Sequence, residues 1–314
     1  MSEFTHAFDW EGTSADPNDE QFGDVVERTD LDTVDEFDAV IVGEPYDGAV
    51  IGRRGASEGP SALREQLAAI KTHHFDAGPI RSVGDLGDVA NLEDAEWVEE
   101  AQSLAHTAAS AIHDESTFPV FLGGDNSLTY ANAVHLLTEE SSLGVINFDA
   151  HLDVREIRDS PTSGTPYRQL FDSELGDGLD VYACVGARHF ETSADYAAFV
   201  REEGGEIVTA EEVGEDSVSA IDTALESMRD VDTIYVSVDL DVLDAAFAPG
   251  VSAPTPGGIT TRELFRMLRL VASDSRVAGF EVVECAPSLD ENELTAKAGA
   301  RAIAHFLSTL GGGE

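Results

Sequence analysis

Residues 143–153 read LGVINFDAHLD, an uncharged run that ends abruptly in Asp149, His151 and Asp153 at alternate positions. A β-rich run without in–out charge alternation suits a strand buried on both faces of a parallel sheet. Its polar continuation then lies beyond the carboxyl edge of the sheet, where open α/β folds bind their ligands. The same junction recurs along the chain. VFLGG (120–124) runs into Asp125-Asn126, TIYVSV (233–238) into Asp239-Leu-Asp241, and VAGFEVV (277–283) into Glu284.

Other short β-rich runs are DAVIVG (38–43) and DVYACVG (180–186), with weaker ones at PIRSVGDLG (79–87) and EIVT (206–209). Helical patterns separate them at 93–114, 219–230 and 260–272, and PSALREQLAAI (60–70) opens with Pro60 in a first-turn position. Strand–helix alternation predicts right-handed βαβ crossovers and hence a three-layer α/β/α fold around a mostly parallel central sheet. No repeat or linker divides the chain. The expected organisation is an irregular acidic arm over residues 1–35, followed by a single domain from 36 to 314.

Charge speaks to habitat. The chain has 62 acidic residues against 18 basic ones, for a net charge of −44, and only Lys71 and Lys297 are lysine. The acidity is spread along the whole length. Such self-repulsion opposes a compact state in dilute salt, whereas molar salt shortens the Debye length to about 3 Å. A halophilic protein working in a salty cytosol is expected. An acidic surface is a poor partner for nucleic acid. No segment approaches the roughly 18 apolar residues of a membrane span, and the N-terminus lacks the basic start and apolar core of a secretory leader. A cytoplasmic location without membrane partners is therefore expected. Cys184 and Cys285 lie in or just after apolar runs and are too few for a zinc motif or disulfide framework; they are expected as small buried core residues.

The four strand ends collect five carboxylates, Asp149, Asp153, Asp239, Asp241 and Glu284, with the His151 imidazole and the Asn126 amide beside them. Clustered buried carboxylates repel one another and lose their charge, unless one or two divalent cations hold them. Oxygen donors with one imidazole suit manganese better than zinc. The chain supplies its own controls. Asp30-Leu-Asp32 and Asp230-Val-Asp232 have the same spacing in acidic surroundings and are expected to be solvated.

GGDNS (123–127), INFDAHLD (146–153) and SVDLDVLD (237–244) resemble the three signatures of the ureohydrolase family of arginases, agmatinases and formimidoylglutamases. The similarity extends through GRRGASEGPSALR (52–64), DLGDV (85–89), GTPYRQL (164–170), VGAR (185–188), APGVSAPTPGGIT (248–260) and FEVVECAPSLD (280–290). The resemblance implies an arginase-like fold and two Mn²⁺ ions whose bridging hydroxide attacks an amidine carbon. It implies that Asp149 and Asp239 bridge both ions, that Asp153 and residue 126 complete one shell, and that His151 and Asp241 complete the other. It assigns Glu284 to the cationic end of the substrate, so that Asp149, Asp241 and Glu284 are the expected catalytic group. Trimers or hexamers are also implied.

Two departures narrow the choice. Asn126 stands where most of the family carries a histidine ligand, so the ion beside it is expected to be the weaker of the two. Ser163 stands where arginase-like members carry a histidine. SGTPYRQ (163–169) and DAHLDVR (149–155) resemble the formimidoylglutamase branch, which hydrolyses N-formimidoyl-L-glutamate to L-glutamate and formamide in histidine breakdown. A substrate with two carboxylates needs fixed cations, and arginine is the better fork for them. Arg155, Arg158 and Arg168 follow the metal loop closely; with Ser163 they are the expected substrate contacts. Arg188 is expected to be structural or to contact another subunit, and Asp125 to orient its loop. An agmatinase, arginase or other guanidino-acid hydrolase is the alternative activity, with a non-catalytic relative behind it.

Overall fold

The computed structural model describes residues 3–310 except 7 and 177. Eight parallel strands form the body of the sheet: β1 (Ala39–Gly43), β2 (Val83–Val89), β3 (Phe118–Leu122), β4 (Leu143–Phe148), β5 (Val181–Ala187), β6 (Glu206–Thr209), β7 (Thr233–Asp239) and β8 (Val277–Val283). Their spatial order is β2-β1-β3-β8-β7-β4-β5-β6. The eight runs read from the sequence are all present; β2 ends two residues later than its pattern suggested.

Each strand alternates between two apolar layers. In β4, Ile146 and Phe148 face one layer while Leu143 and Val145 face the other; in β5, Ala183 and Val185 oppose Tyr182 and Cys184. Both faces are dry, which is why these strands read as continuous apolar runs. One layer is closed by helices α1 (Gly59–Ala68), α4 (Ser217–Ser227), α5 (Thr261–Ala272) and α6 (Leu294–Leu307), the other by α2 (Val98–His113) and α3 (Ala194–Glu202). In α6, Ala300, Ile303, Phe306 and Leu307 give a buried face. Both cysteines are free and buried. Among the described residues no helix is long and apolar enough to cross a membrane.

The described part of the acidic N-terminal stretch, expected as an irregular arm, is attached to the domain. Phe4–Thr5 pairs antiparallel and Glu27–Arg28 parallel with β2, extending the sheet to ten strands. Phe22 is fully buried. The anchor is polar as well: Trp10 Nε1 donates to Asp85 Oδ2 at 2.7 Å. That carboxylate also pairs with Arg64 of α1, a guanidinium only 1% exposed.

A second buried polar group sits between β1, β7 and β8. Glu44 and Glu281, both fully buried, share the amide nitrogen of Asn132 at 2.8 and 3.0 Å, and Tyr235 Oη donates to Glu281 at 2.8 Å. Burial pushes the Glu44 carboxyl up to about 8, with the neighbouring Glu281 raising it further against the Asn132 hydrogen bond. Unfolded, the same carboxyl titrates near 4.5. The native state therefore holds a proton that the unfolded chain releases. This contribution is complete below about pH 4.5 and is lost as pH rises toward 8, with a slope of up to about 1.4 kcal/mol per pH unit. Glu44→Gln should flatten the decline in stability across that window, measured by urea unfolding at constant salt. An unchanged pH dependence would count against it.

Candidate metal and substrate site

The strands whose ends carry the polar residues, β3, β8, β7 and β4, are four consecutive neighbours in the sheet. Adjacent strands lie about 4.8 Å apart, so residues far apart in sequence converge at one carboxyl edge. Asn126 N–H donates to Glu284 Oε1 at 3.1 Å across 158 residues of chain. Ala150 N–H donates to Asp241 Oδ1 at 3.2 Å across 91.

Two carboxylate-rich sets form there. Asp149, His151 and Asp241 bring one ligand atom each to within 4.8 Å of one another, and so do Asp149, Asp153 and Asp239. Asp149 belongs to both. His151 Nδ1 lies 3.0 Å from Asp241 Oδ2 and 3.4 Å from Asp149 Oδ1. Backbone amides shape the turns: His151 N–H donates to Asp149 Oδ1 at 2.6 Å, and Asp241 N–H to Asp239 Oδ1 at 2.8 Å. Asn147, on β4, holds the other Asp149 oxygen at 3.0 Å. Asp153 and Glu284 both adopt positive φ, at 45° and 65°. Strained backbone of this kind in side chains other than glycine concentrates at functional sites.

Electrostatics show how poorly these donors tolerate one another when no cation lies between them. Burial raises Asp149, and the nearby Asp241 adds to it. Burial raises Asp153 and Asp239 further, each with neighbouring aspartates contributing. For Asp241, burial is outweighed by the His151 hydrogen bond and charge, so its carboxyl is held down. His151 shows the converse: burial opposes its charge, but hydrogen bonds to Asp149 and Asp241 raise it. One imidazolium cannot neutralise four aspartates. The donor set, hard oxygens with one imidazole, fits divalent manganese.

Asn126 is fully buried beside this group, with Nδ2 donating to Asp153 Oδ2 at 2.6 Å and Oδ1 accepting from Thr129 Oγ1 at 2.7 Å. The structure therefore turns the amide nitrogen, and not the oxygen expected of a ligand, toward Asp153. Asp125 is neither exposed nor in the two sets. It accepts from Ser127 N–H at 3.0 Å and Ala49 N–H at 2.9 Å, and burial pushes it up to about 6. It orients the loop, as its position suggested. The controls Asp30, Asp32, Asp230 and Asp232 are exposed.

A cavity of about 150 Å³ opens onto His151, Asp153, Asp239, Asp241 and Glu284. Glu284 is 2% exposed, its Oε2 has no hydrogen-bond partner, and burial raises it well above the ordinary carboxylate range. Arg155 and Ser163 line the same cavity. Ser163 Oγ accepts from Ile51 N–H at 3.1 Å and so shapes the wall.

The other two expected substrate arginines are not in the lining. Arg168 is tied to Asp172 at 2.7 Å, one helical turn on, and lies 4.2 Å over the Phe199 ring. The helix Pro166–Phe171 turns it away from the metal loop toward α3. Arg158 is exposed in the loop beyond Arg155 and lines no part of this cavity. Conversely, Ile51, Gly52, Ser252 and Ala253 form walls that sequence reasoning had not singled out individually. Gly52 is required: a Cβ there would meet the Ser252 carbonyl oxygen at 2.8 Å. Ile51 immediately precedes GRRGA, which holds Gly52, and Ser252 and Ala253 lie in APGVSAPTPGG, a glycine-, proline- and serine-rich loop. Such composition signals a loop without saying what it faces.

A model described as the arginase family matches residues 37–308. The chain is 56% identical over 309 residues to the formimidoylglutamase of Halobacterium salinarum, covering 97% of this chain and 99% of that relative. It superposes on the crystal structure of formimidoylglutamase from Bacillus subtilis with a TM-score of 0.85 and 30% identity, covering 95% of this chain and 94% of that one. Against Trypanosoma cruzi formiminoglutamase with Mn²⁺₂ the TM-score is 0.78 and the identity 28%, covering 87% and 93% of the two chains.

Proposed function

The chain belongs to the arginase family, and from that premise we propose that it hydrolyses N-formimidoyl-L-glutamate to L-glutamate and formamide with Mn²⁺ as cofactor. The observation that carries this reading is the polarity of the cavity. Its floor is four carboxylates and one imidazole, with the unpartnered Glu284 Oε2 among them, and Arg155 is the guanidinium in its lining. That is complementary to a substrate with an amidinium at one end and carboxylates at the other.

Asp149 and Asp239 would bridge two ions, His151 and Asp241 completing one shell and Asp153 and Asn126 the other. Ions bound there would supply an activated water as the nucleophile for an amidine carbon at neutral pH. Glu284 holds the amidinium by a charge-assisted hydrogen bond and aligns that carbon with the metal-facing side of the cavity. Arg155 receives a substrate carboxylate, and Ser163 keeps the loop at Ala49–Ile51 in place beneath it. Purified protein assayed with Mn²⁺ in molar salt should turn over N-formimidoyl-L-glutamate in preference to L-arginine and agmatine. Turnover of agmatine alone would overturn the assignment.

Asn126 makes the pair of ions unequal. To offer Oδ1 to an ion, its amide must rotate by half a turn and give up the bond to Asp153. Thr129 Oγ1 can then accept from Nδ2 instead, because a hydroxyl serves as donor or acceptor. An amide oxygen is still a weaker donor than imidazole. The ion shared with Asp153 should dialyse away first, and Asn126→His should tighten it by about tenfold or more, read by metal analysis during dialysis. Unchanged retention would remove residue 126 from the ligand set. We further propose a homo-oligomer, a trimer or hexamer, whose highly acidic subunits assemble only when salt screens their repulsion. Light scattering across a salt series should show dissociation as salt is lowered; a monomer throughout would refute it.

A further inference from the structure

Arg188 follows β5, the strand next to β4, and is 6% exposed. Its backbone N–H donates to the Ala150 carbonyl at 3.0 Å, inside the turn between Asp149 and His151. Its side chain reaches the other metal turn. Nη2 donates to the carbonyls of Asp241 at 2.6 Å, Val242 at 3.0 Å and Leu243 at 2.6 Å, and Nη1 donates to Thr255 Oγ1 at 2.6 Å. The two turns also touch directly through Ala150 N–H and Asp241 Oδ1.

One residue from a third strand thus ties the Asp149–His151 turn to the Asp239–Leu243 turn. Through Thr255 it also reaches the 252–258 loop, which contributes Ser252 and Ala253 to the cavity wall. The seat is built for a guanidinium. A Cβ at Gly258 would meet Nη2 at 2.0 Å, so glycine clears the space. Three carbonyls and a hydroxyl arranged around two terminal nitrogens match a planar fork, which an ammonium cannot reproduce.

We propose that Arg188 is a positioning residue for the metal pair: by gathering the carbonyls of Asp241, Val242 and Leu243 it holds the Asp241 carboxylate against Asp149 and His151. This rests on the reading of Asp149, His151 and Asp241 as the ligands of one ion. Without the guanidinium those carbonyls lose their donor in a buried setting, and the turn relaxes away from His151. The ion shared by Asp149, Asp153 and Asp239 depends on Arg188 less, because neither Asp153 nor the Asp239 side chain touches it.

The test compares the full-length parent, Arg188→Lys and Arg188→Met. Manganese binding is measured by calorimetry and electron paramagnetic resonance, and backbone hydrogen exchange over residues 239–244 in the metal-free proteins. Arg188→Met should weaken the ion of Asp149, His151 and Asp241 by about 10- to 100-fold, leave the other ion unchanged and speed exchange in that turn. Arg188→Lys should recover only part of the affinity. Two unaltered affinities in Arg188→Met would overturn the proposal, whatever its melting temperature. Should Arg188→Met fail to fold, Thr255→Val, which removes one of the four side-chain bonds, gives the same comparison. An Asp241→Ala chain that keeps both ions would instead refute the underlying metal assignment, and the proposal with it.

Discussion

Asp149→Asn should strip the protein of both manganese ions and of turnover. Asp149 belongs to both ligand sets, and an amide cannot bridge two cations as a carboxylate does. Metal-assisted activation of water contributes several kcal/mol, so its loss corresponds to a fall on the order of a thousandfold or more. The metal-free fold should survive. Asp149 is fully buried among like charges, with its carboxyl raised first by burial and then by Asp241. A neutral isostere relieves that repulsion, although it sets an amide against the Asn147 Nδ2 group 3.0 Å from Oδ2. Thermal melting separates the two effects. The parent should gain about 2.7 kcal/mol of stability for each ion at a manganese concentration one hundred times that ion's dissociation constant, whereas Asp149→Asn should gain little or nothing. A full manganese-dependent shift in the variant, with activity retained, would remove Asp149 from the centre of the site.

The largest loss of stability should come from a residue away from the chemistry. Arg64, on α1, meets Asp85 through Nε at 3.0 Å and Nη2 at 2.9 Å, donates to the Gly87 carbonyl at 2.8 Å, and pairs with Asp88 through Nη1 at 2.5 Å. Asp85 is 2% exposed and is also held by Trp10. Arg64→Met fills the volume but abandons a buried carboxylate, a change that costs about 3–5 kcal/mol. Buried pairs escape ionic screening, so the loss should persist in molar salt, where surface repulsion is muted. Adding Asp85→Asn to Arg64→Met should recover part of it by removing the stranded charge. Urea unfolding at fixed high salt measures both variants. A cost below about 1 kcal/mol, typical of an exposed pair, would show that the network contributes no more than a surface bridge.

The carboxylates that the structure gathers into two sets were legible because their signal is local. Each apolar strand leads directly into its polar turn, and Asp30-Leu-Asp32 lacks such a lead and is solvated. The arginines were not legible in the same way. Arg155, Arg158 and Arg168 lie within one short stretch after the metal loop, yet only Arg155 lines the cavity. A long side chain takes its direction from what surrounds it, and Asp172 with Phe199 captures Arg168. In the helix Leu294–Leu307 alanine and glycine weaken the apolar stripe, yet its buried face packs closely on α1 and α5.

What the sequence determined by itself is the set of strands buried on both faces and the donors that follow them, since apolar runs and the residues next to them are properties of neighbouring positions. Only the tertiary structure decided that β3, β8, β7 and β4 stand side by side, that Asn126 presents its nitrogen to Asp153, and that Arg188 ties the turn at Ala150 to the turn at Asp241–Leu243. Those relations join residues 27 to 158 positions apart. They follow from strand order and close packing, which no local pattern encodes.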